Sequence, residues 1–150
     1  MKELLHQTIV KIYIDPEKKY LTFCSRNLDF YVFKAEQECC SETWFESING
    51  IENLINQEVI SVEYKEIPGY LCGCGIEKIK NIDCLSCGRD DSYVQCYGYT
   101  LKTIKGYCDI EFRNESNGYY GGECLYLEEA IINKQNLHPC GNPNASLILL

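Results

Sequence analysis

Alternation of apolar and polar positions dominates the first third of the chain. Thr8 to Ile14 reads TIVKIYI, a β-branched run that alternates as a strand does, and Asp15, Pro16 and Glu17 supply a turn after it. Tyr20 to Cys24 forms a second strand, Ser25-Arg26-Asn27 a turn, and Asp29 to Lys34 a third strand. The pattern predicts a meander of antiparallel hairpins. The period then changes. Trp44, Phe45, Ile48, Ile51, Leu54 and Ile55 recur at helical spacing, with Ser41 or Thr43 available as cap and Gly50 as a break or kink. This predicts a core helix lying on the sheet. Strand character returns at Val59 to Tyr64 and ends at Pro68-Gly69.

Beyond Tyr93 the alternation is regular again. Tyr93, Gln95, Tyr97, Tyr99, Leu101 and Thr103 share one face, and Val94, Cys96 and Thr100 share the other. Tyr107 to Arg113 follows as a strand, Asn114 to Gly118 as a polar turn, and Tyr119 to Leu127 as a last strand. Gly121-Gly122 inside that strand marks a bulge or a close approach by backbone or ligand. The tail starts helical at Glu128 to Asn133 and turns irregular near Pro139 and Pro143. The expected fold is α+β: an antiparallel meander packed with one or two helices, a single domain over 1–150 with an insertion at 70–91.

Composition sharpens this in two ways. Twelve tyrosines and five phenylalanines favour strands. A net charge of −8 disfavours duplex nucleic acid, because only Arg26, Arg89 and Arg113 are arginines and the lysines are scattered. The start of the chain carries no apolar signal core, and no apolar stretch is long enough to span a membrane. A cytoplasmic protein is expected, in which eleven cysteines, an odd number, do not form a disulfide framework.

Four of those cysteines have metal-ligand spacing. Cys72-Gly-Cys74, nine residues beginning with Gly75, then Cys84-Leu-Ser-Cys87-Gly presents two close pairs joined by a short loop. Four thiolates suit tetrahedral Zn2+ and leave no open position, so the zinc would be structural. The glycines after Cys74 and Cys87 allow positive φ and aim backbone N–H groups at sulfur. Cys72-x-Cys74 is tighter than the usual two-residue gap. Cys24, Cys96, Cys108 and Cys124 lie in strands and read as core, as do Cys39 and Cys40. A second metal site joining His138 and Cys140 to Cys39 or Cys40 is the weaker alternative for those residues.

Catalytic chemistry finds no anchor: His6 and His138 lie near the ends, and no nucleophile has an evident base. A non-enzyme is expected. The segment Lys102 to Gly122 is different in kind. It sets Lys105 and Arg113 among Tyr107 and Tyr119, with Asn114, Ser116 and Asn117 as short polar groups. Aromatics stack on bases, arginine pairs with phosphate and asparagine reads an adenine-like edge. The same residues also read as an ordinary hairpin turning at Asn117-Gly118.

Two motifs carry a resemblance. Glu38-Cys-Cys-Ser-Glu-Thr-Trp-Phe-Glu leads into Gly50-x-x-x-Leu-Ile-x-x-x-Val, and later come Tyr97-Gly-Tyr-Thr-Leu-Lys-Thr-Ile-Lys-Gly and Ser116-Asn-Gly-Tyr-Tyr. Over roughly Thr8 to Leu127 the chain resembles a small uncharacterised domain family common in phages and their bacterial hosts. Tyr70 to Asp91 departs from that pattern and looks like an added zinc module. The family lends no activity. The phage context suggests an analogy to Thoeris anti-defence sponges, which sequester cyclic nucleotide signals without cleaving them. Two functions are therefore expected. The first is a homo-oligomeric counter-defence protein that sequesters a nucleotide-derived signal. The alternative is an acidic, zinc-stabilised inhibitor or adaptor acting on a host protein.

Overall fold

The computed structural model describes residues 1–72, 77–78, 93–128 and 148–150. The predicted meander is present: β1 (Thr8–Ile14), β2 (Tyr20–Ser25) and β3 (Phe30–Gln37) are consecutive antiparallel neighbours. β4 (Glu42–Asn49) crosses to a second sheet. A one-turn helix, α1 (Ile51–Leu54), and the short β5 (Gln57–Glu58) lead into β6 (Ser61–Leu71) and β7 (Glu77–Lys78). β8 (Tyr93–Lys102), β9 (Tyr107–Ser116), β10 (Gly122–Tyr126) and β11 (Ile148–Leu149) complete the described strands. One sheet runs β10-β3-β2-β1-β11 with β5 on β1, and the other runs β4-β9-β8-β6-β7.

The two sheets share one core. Ile9, Ile12, Leu21, Phe23, Phe33 and Ala35 from the first meet Phe45, Tyr97, Leu101, Cys108, Ile110 and Phe112 from the second. Burying these apolar faces against each other is the main favourable term. On β8 and β9 the faces follow the alternation read from the sequence. Tyr97 pairs with Phe112 and Leu101 with Cys108 toward the core, while Cys96 pairs with Arg113 and Gly98 with Glu111 on the outer face.

The α+β expectation is corrected here. Among the described residues the fold is a β-sandwich with a single four-residue α-helix, α1, and a short 3-10 turn at Lys2–Leu4. The segment from Trp44 read as helix is mostly strand β4. The cause is a bulge between Phe45 and Ser47 in its pairing with β9. An extra residue in a strand flips its alternation. Phe45 and Ile48, three apart, therefore both face inward, opposite Phe112 and Ile110. A bulged strand has imitated one turn of helix. The remaining positions of the apparent helical face, Ile51, Leu54 and Ile55, do belong to α1 and its exit. Gly50, with φ of 83°, separates the two. β1 carries the same device, with a register shift between Ile9 and Lys11, so that Ile9 and Ile12 both reach the core.

Cys24, Cys96 and Cys108 are buried as expected and Cys124 is partly so, but Cys39 and Cys40 are exposed, not core. They occupy the turn from β3 to β4, which leaves one sheet for the other and has no layer above it. The expected zinc insertion and C-terminal helix fall outside the described residues, apart from Tyr70 and Leu71 at the end of β6, Cys72, β7 and Glu128. No helix among the described residues is long and apolar enough to cross a membrane.

Burial of acidic protons makes this core sensitive to alkali. Burial pushes the Cys108 and Cys124 thiols up to about 12, and the Tyr99 phenol to about 12. Their ordinary values are 9.0 for the thiols and 10.0 for the phenol. Folded values above unfolded ones mean that stability is intact below about pH 9 and is lost as pH climbs toward 12. By pH 11 the loss is roughly 2 kcal/mol for a fully buried thiol. Melting temperature should therefore fall steadily from pH 8.5 to 11. A flat profile would show that these groups ionise freely in the folded chain.

Candidate functional site

The residues singled out along Lys102 to Gly122 do not converge. β9 is ten residues long, roughly 30 Å, and neighbouring side chains point to opposite faces. Lys105 and Tyr107 sit at one end. Lys105 donates to the Glu52 carbonyl at 2.8 Å, and Tyr107 lies beneath the Lys102 ammonium, 5.7 Å from its ring centre. Arg113 is on the outer face of the second sheet. Its Nε donates to Glu111 Oε1 at 2.6 Å and its Nη1 lies 3.8 Å from Glu46 Oε1. Two carboxylates hold the guanidinium that a phosphate would need.

Asn114 faces the other way and is buried. Its Nδ2 donates to Thr43 Oγ1 at 2.9 Å, while Oδ1 has no hydrogen-bond partner. Ser116 and Asn117 organise the far turn: Ser116 Oγ accepts from the Gly118 N–H and Asn117 Oδ1 from the Tyr119 N–H. Tyr119 is 90% exposed. The seven residues occupy both faces and both ends of one strand.

A different set does converge. Between the inner face of the second sheet and β10 lies a cleft of about 250 Å³ lined by Tyr64, Tyr99, Phe112, Gly122, Glu123, Cys124 and Leu125. Its aromatic wall is continuous across three strands. Tyr64 and Tyr99 ring centres are 5.2 Å apart with planes tilted 55°. Tyr99 stacks on Phe112 at 6.1 Å, and Phe112 on Tyr97 at 4.9 Å. Tyr64 is 52% exposed and forms the lip.

Period 2 explains the wall. Tyr64, Tyr99 and Ile110 are opposite one another, and Glu66, Tyr97 and Phe112 form the next rung. Gly122 explains how β10 comes so close. A Cβ there would lie 2.6 Å from Thr43 Oγ1 and 2.8 Å from Asn114 Cβ. Of the two glycines marked in the sequence, Gly122 is where another strand presses closest. Gly121, the other, would place a Cβ 3.6 Å from the Tyr97 hydroxyl.

The cleft is electronegative. Glu66 is held at its rim by a relay, in which the Tyr97 hydroxyl donates to Gln95 Oε1 at 2.7 Å and Gln95 Nε2 donates to Glu66 Oε1 at 2.8 Å. Burial first, then the carboxylate of Glu66 and more weakly that of Glu123, pushes the Tyr64 phenol above its ordinary value. No lysine or arginine is among the described lining residues. The nearest positive charge acting on Cys124 is the amino terminus, itself 3.4 Å from Glu3. The sequence signal for this site was present in part, as Tyr97 and Tyr99 at alternate positions of β8. Only the pairing register revealed that Tyr64 adds to them.

No group of three or more potential metal ligands occurs among the described residues. Cys72 is buried just beyond the end of β6. Cys74, Cys84 and Cys87 lie outside the described residues, as do His138 and Cys140. His6, the other histidine, faces Glu58 at 3.1 Å in an exposed pair.

The family described as a domain of unknown function, DUF7448, matches residues 2–126, and the chain belongs to it. The match runs from the first 3-10 turn to the last residue of β10 and so contains the whole cleft. No curated protein and no solved structure matches the chain.

Proposed function

We propose that this DUF7448 chain is a non-catalytic binding protein that engages a positively charged partner, in the manner of an inhibitor or adaptor acting on a basic surface of another protein. The observation that carries the reading is the cleft itself: two tyrosine rings meeting at its lip, Glu66 and Glu123 beside them, and no basic residue among the described lining residues. Aromatic faces and carboxylates together attract ammonium and guanidinium groups, and desolvation in a cleft strengthens that attraction. A lysine or arginine anchor of a partner fits this chemistry. The chain's net charge of −8 acts in the same direction at longer range. The phage-like resemblance points to a host protein as that partner.

A second reading rests on the same wall. Tyr64 and Tyr99 could stack a nucleobase, which keeps sequestration of a nucleotide-derived signal by a homo-oligomer in view. The clamped Arg113 and the electronegative rim both weigh against a phosphate. The cysteine spacing supports a structural zinc on Cys72, Cys74, Cys84 and Cys87 in either case. Cys72 stands just past the end of β6, two residues before Cys74 in the sequence.

One set of measurements tests these readings together. Native mass spectrometry of the purified chain counts zinc and any retained molecule. Titration then compares a lysine- and arginine-rich peptide with a cyclic adenine dinucleotide, in wild type and in Tyr64→Ala. The peptide is expected to bind, to weaken steeply as salt is raised, and to lose about tenfold in affinity in Tyr64→Ala. Binding of the dinucleotide without the peptide would overturn the cationic reading and install the second.

A further inference from the structure

The turn joining β3 to β4 holds two adjacent thiols in an unusual position. The Ser41 N–H and hydroxyl both donate to the Glu38 carbonyl, at 3.2 and 3.0 Å, so Cys39 and Cys40 are the central residues of a tight turn. Cys40 has φ of 64°, and Cys39 is not among the residues of positive φ. That combination is the backbone of a type II turn. Glycine or asparagine is the usual occupant of the second position, and a cysteine there is under mild strain. The two side chains lie on the same side, with Sγ to Sγ 3.4 Å, and both are exposed.

Among the described residues these thiols contact only each other through their sulfurs. Cys24, Cys96 and Cys108 are buried, and burial raises each of them, which keeps them protonated and unreactive. Cys39 and Cys40 are open to solvent at the crossing from β3 in the first sheet to β4 in the second. Lys19 braces this crossing, its Nζ donating to Gln37 Oε1 at 3.3 Å and to the Thr43 carbonyl at 2.6 Å. The turn is therefore held at both ends while its tip is free to react.

We propose that Cys39 and Cys40 form a surface dithiol that a hydroperoxide oxidises reversibly to a vicinal disulfide. The Cys39 thiolate attacks the peroxide oxygen, and the O–O bond breaks with loss of water or an alcohol after protonation. The sulfenic acid on Cys39 is then attacked by the Cys40 sulfur, which forms the S–S bond and expels a second water. The two sulfurs lose two electrons and two protons, and the peroxide is reduced by two electrons. Cys40 suits the second role. Its Sγ lies 3.4 Å from that of Cys39, within reach of a sulfenic sulfur formed there.

Closing the bond brings the sulfurs from 3.4 Å to about 2.0 Å. The adjacent Cα atoms are fixed about 3.8 Å apart, shorter than the usual disulfide range of about 4.4–6.8 Å. The ring is thus strained, and strained exposed disulfides are the readily reduced ones. This geometry makes a reversible sensor and not a staple.

The test treats reduced full-length protein with equimolar hydrogen peroxide, blocks remaining thiols by alkylation and maps the peptides by mass. The expected result is loss of two hydrogens from the peptide containing Cys39 and Cys40, before any change at Cys24, Cys96 or Cys108, and full recovery with dithiothreitol. Cys40→Ser should accumulate the Cys39 sulfenic acid, trapped as its dimedone adduct. Both residues are exposed, so serine at either position leaves the fold intact, and unchanged melting temperatures check this. The proposal is overturned if both thiols stay open to alkylation at equimolar peroxide. It is equally overturned if oxidation there gives only chain-to-chain disulfides.

Discussion

Phe112→Ala should lower stability by about 3–5 kcal/mol, the largest effect expected from any single truncation here. Phe112 is 1% exposed and stacks on Tyr97 at 4.9 Å with planes 14° apart. It also meets Phe45 at 6.3 Å across the strand pair and Tyr99 at 6.1 Å. Removing the ring deletes buried apolar area and opens a void that merges with the cleft it lines. Neighbouring strands are fixed by their own ladders and cannot collapse to fill it. A domain of this size has about 5–15 kcal/mol in total, so roughly a fifth or more disappears. Urea unfolding should show a lower midpoint with an unchanged slope. Phe112→Leu, which keeps most of the volume, should cost under about 1.5 kcal/mol. Equal losses in the two variants would mean that the ring stack itself, and not generic apolar volume, carries the stabilisation.

Gly50→Ala should cost about 2–4 kcal/mol for a single added methyl group, combining left-handed backbone strain with overpacking. Two causes act at once. The residue has φ of 83°, and a Cβ built on it would lie 2.3 Å from the Tyr107 carbonyl oxygen. That neighbour is backbone, so it cannot rotate aside. The corner is pinned from both sides: Asn53 Nδ2 donates to the Tyr107 carbonyl at 3.0 Å, and Thr103 Oγ1 donates to the Asn53 carbonyl at 2.7 Å. Relief requires α1 to move off the β8–β9 hairpin. Gly98→Ala is the control, because its nearest neighbour would be 3.4 Å away and its backbone is an ordinary strand. That variant should change stability by no more than about 1 kcal/mol. A Gly50→Ala protein as stable as Gly98→Ala would show that this corner is not rigid.

The strands were legible in the sequence wherever their alternation was unbroken. Tyr20–Ser25 and the faces of Tyr93–Lys102 could be read because each side chain's direction depends only on its parity along a strand, and Thr8–Ile14 kept enough β-branched character to read as a strand despite its bulge. β4 could not, because its bulge changes parity midway and a three-residue interval is the mark of a helix. Exposure of Cys39 and Cys40 was equally hidden, since a small apolar-type residue reads as core until the turn around it is known. The site divides in the same way. Tyr107, Arg113, Asn114 and Tyr119 are close in sequence, and proximity along the chain suggested one binding kit. A strand sends such neighbours to opposite faces and spreads them along its length. The sequence by itself determined which residues could share a face and how much charge the chain carries. Tertiary structure alone decided which faces meet. The antiparallel register of β6, β8 and β9 lined up Tyr64, Tyr99 and Phe112, and Gly122 let β10 close over them. The reason is physical: pairing and packing act between residues far apart in the chain, and periodicity along one strand carries no information about its partner.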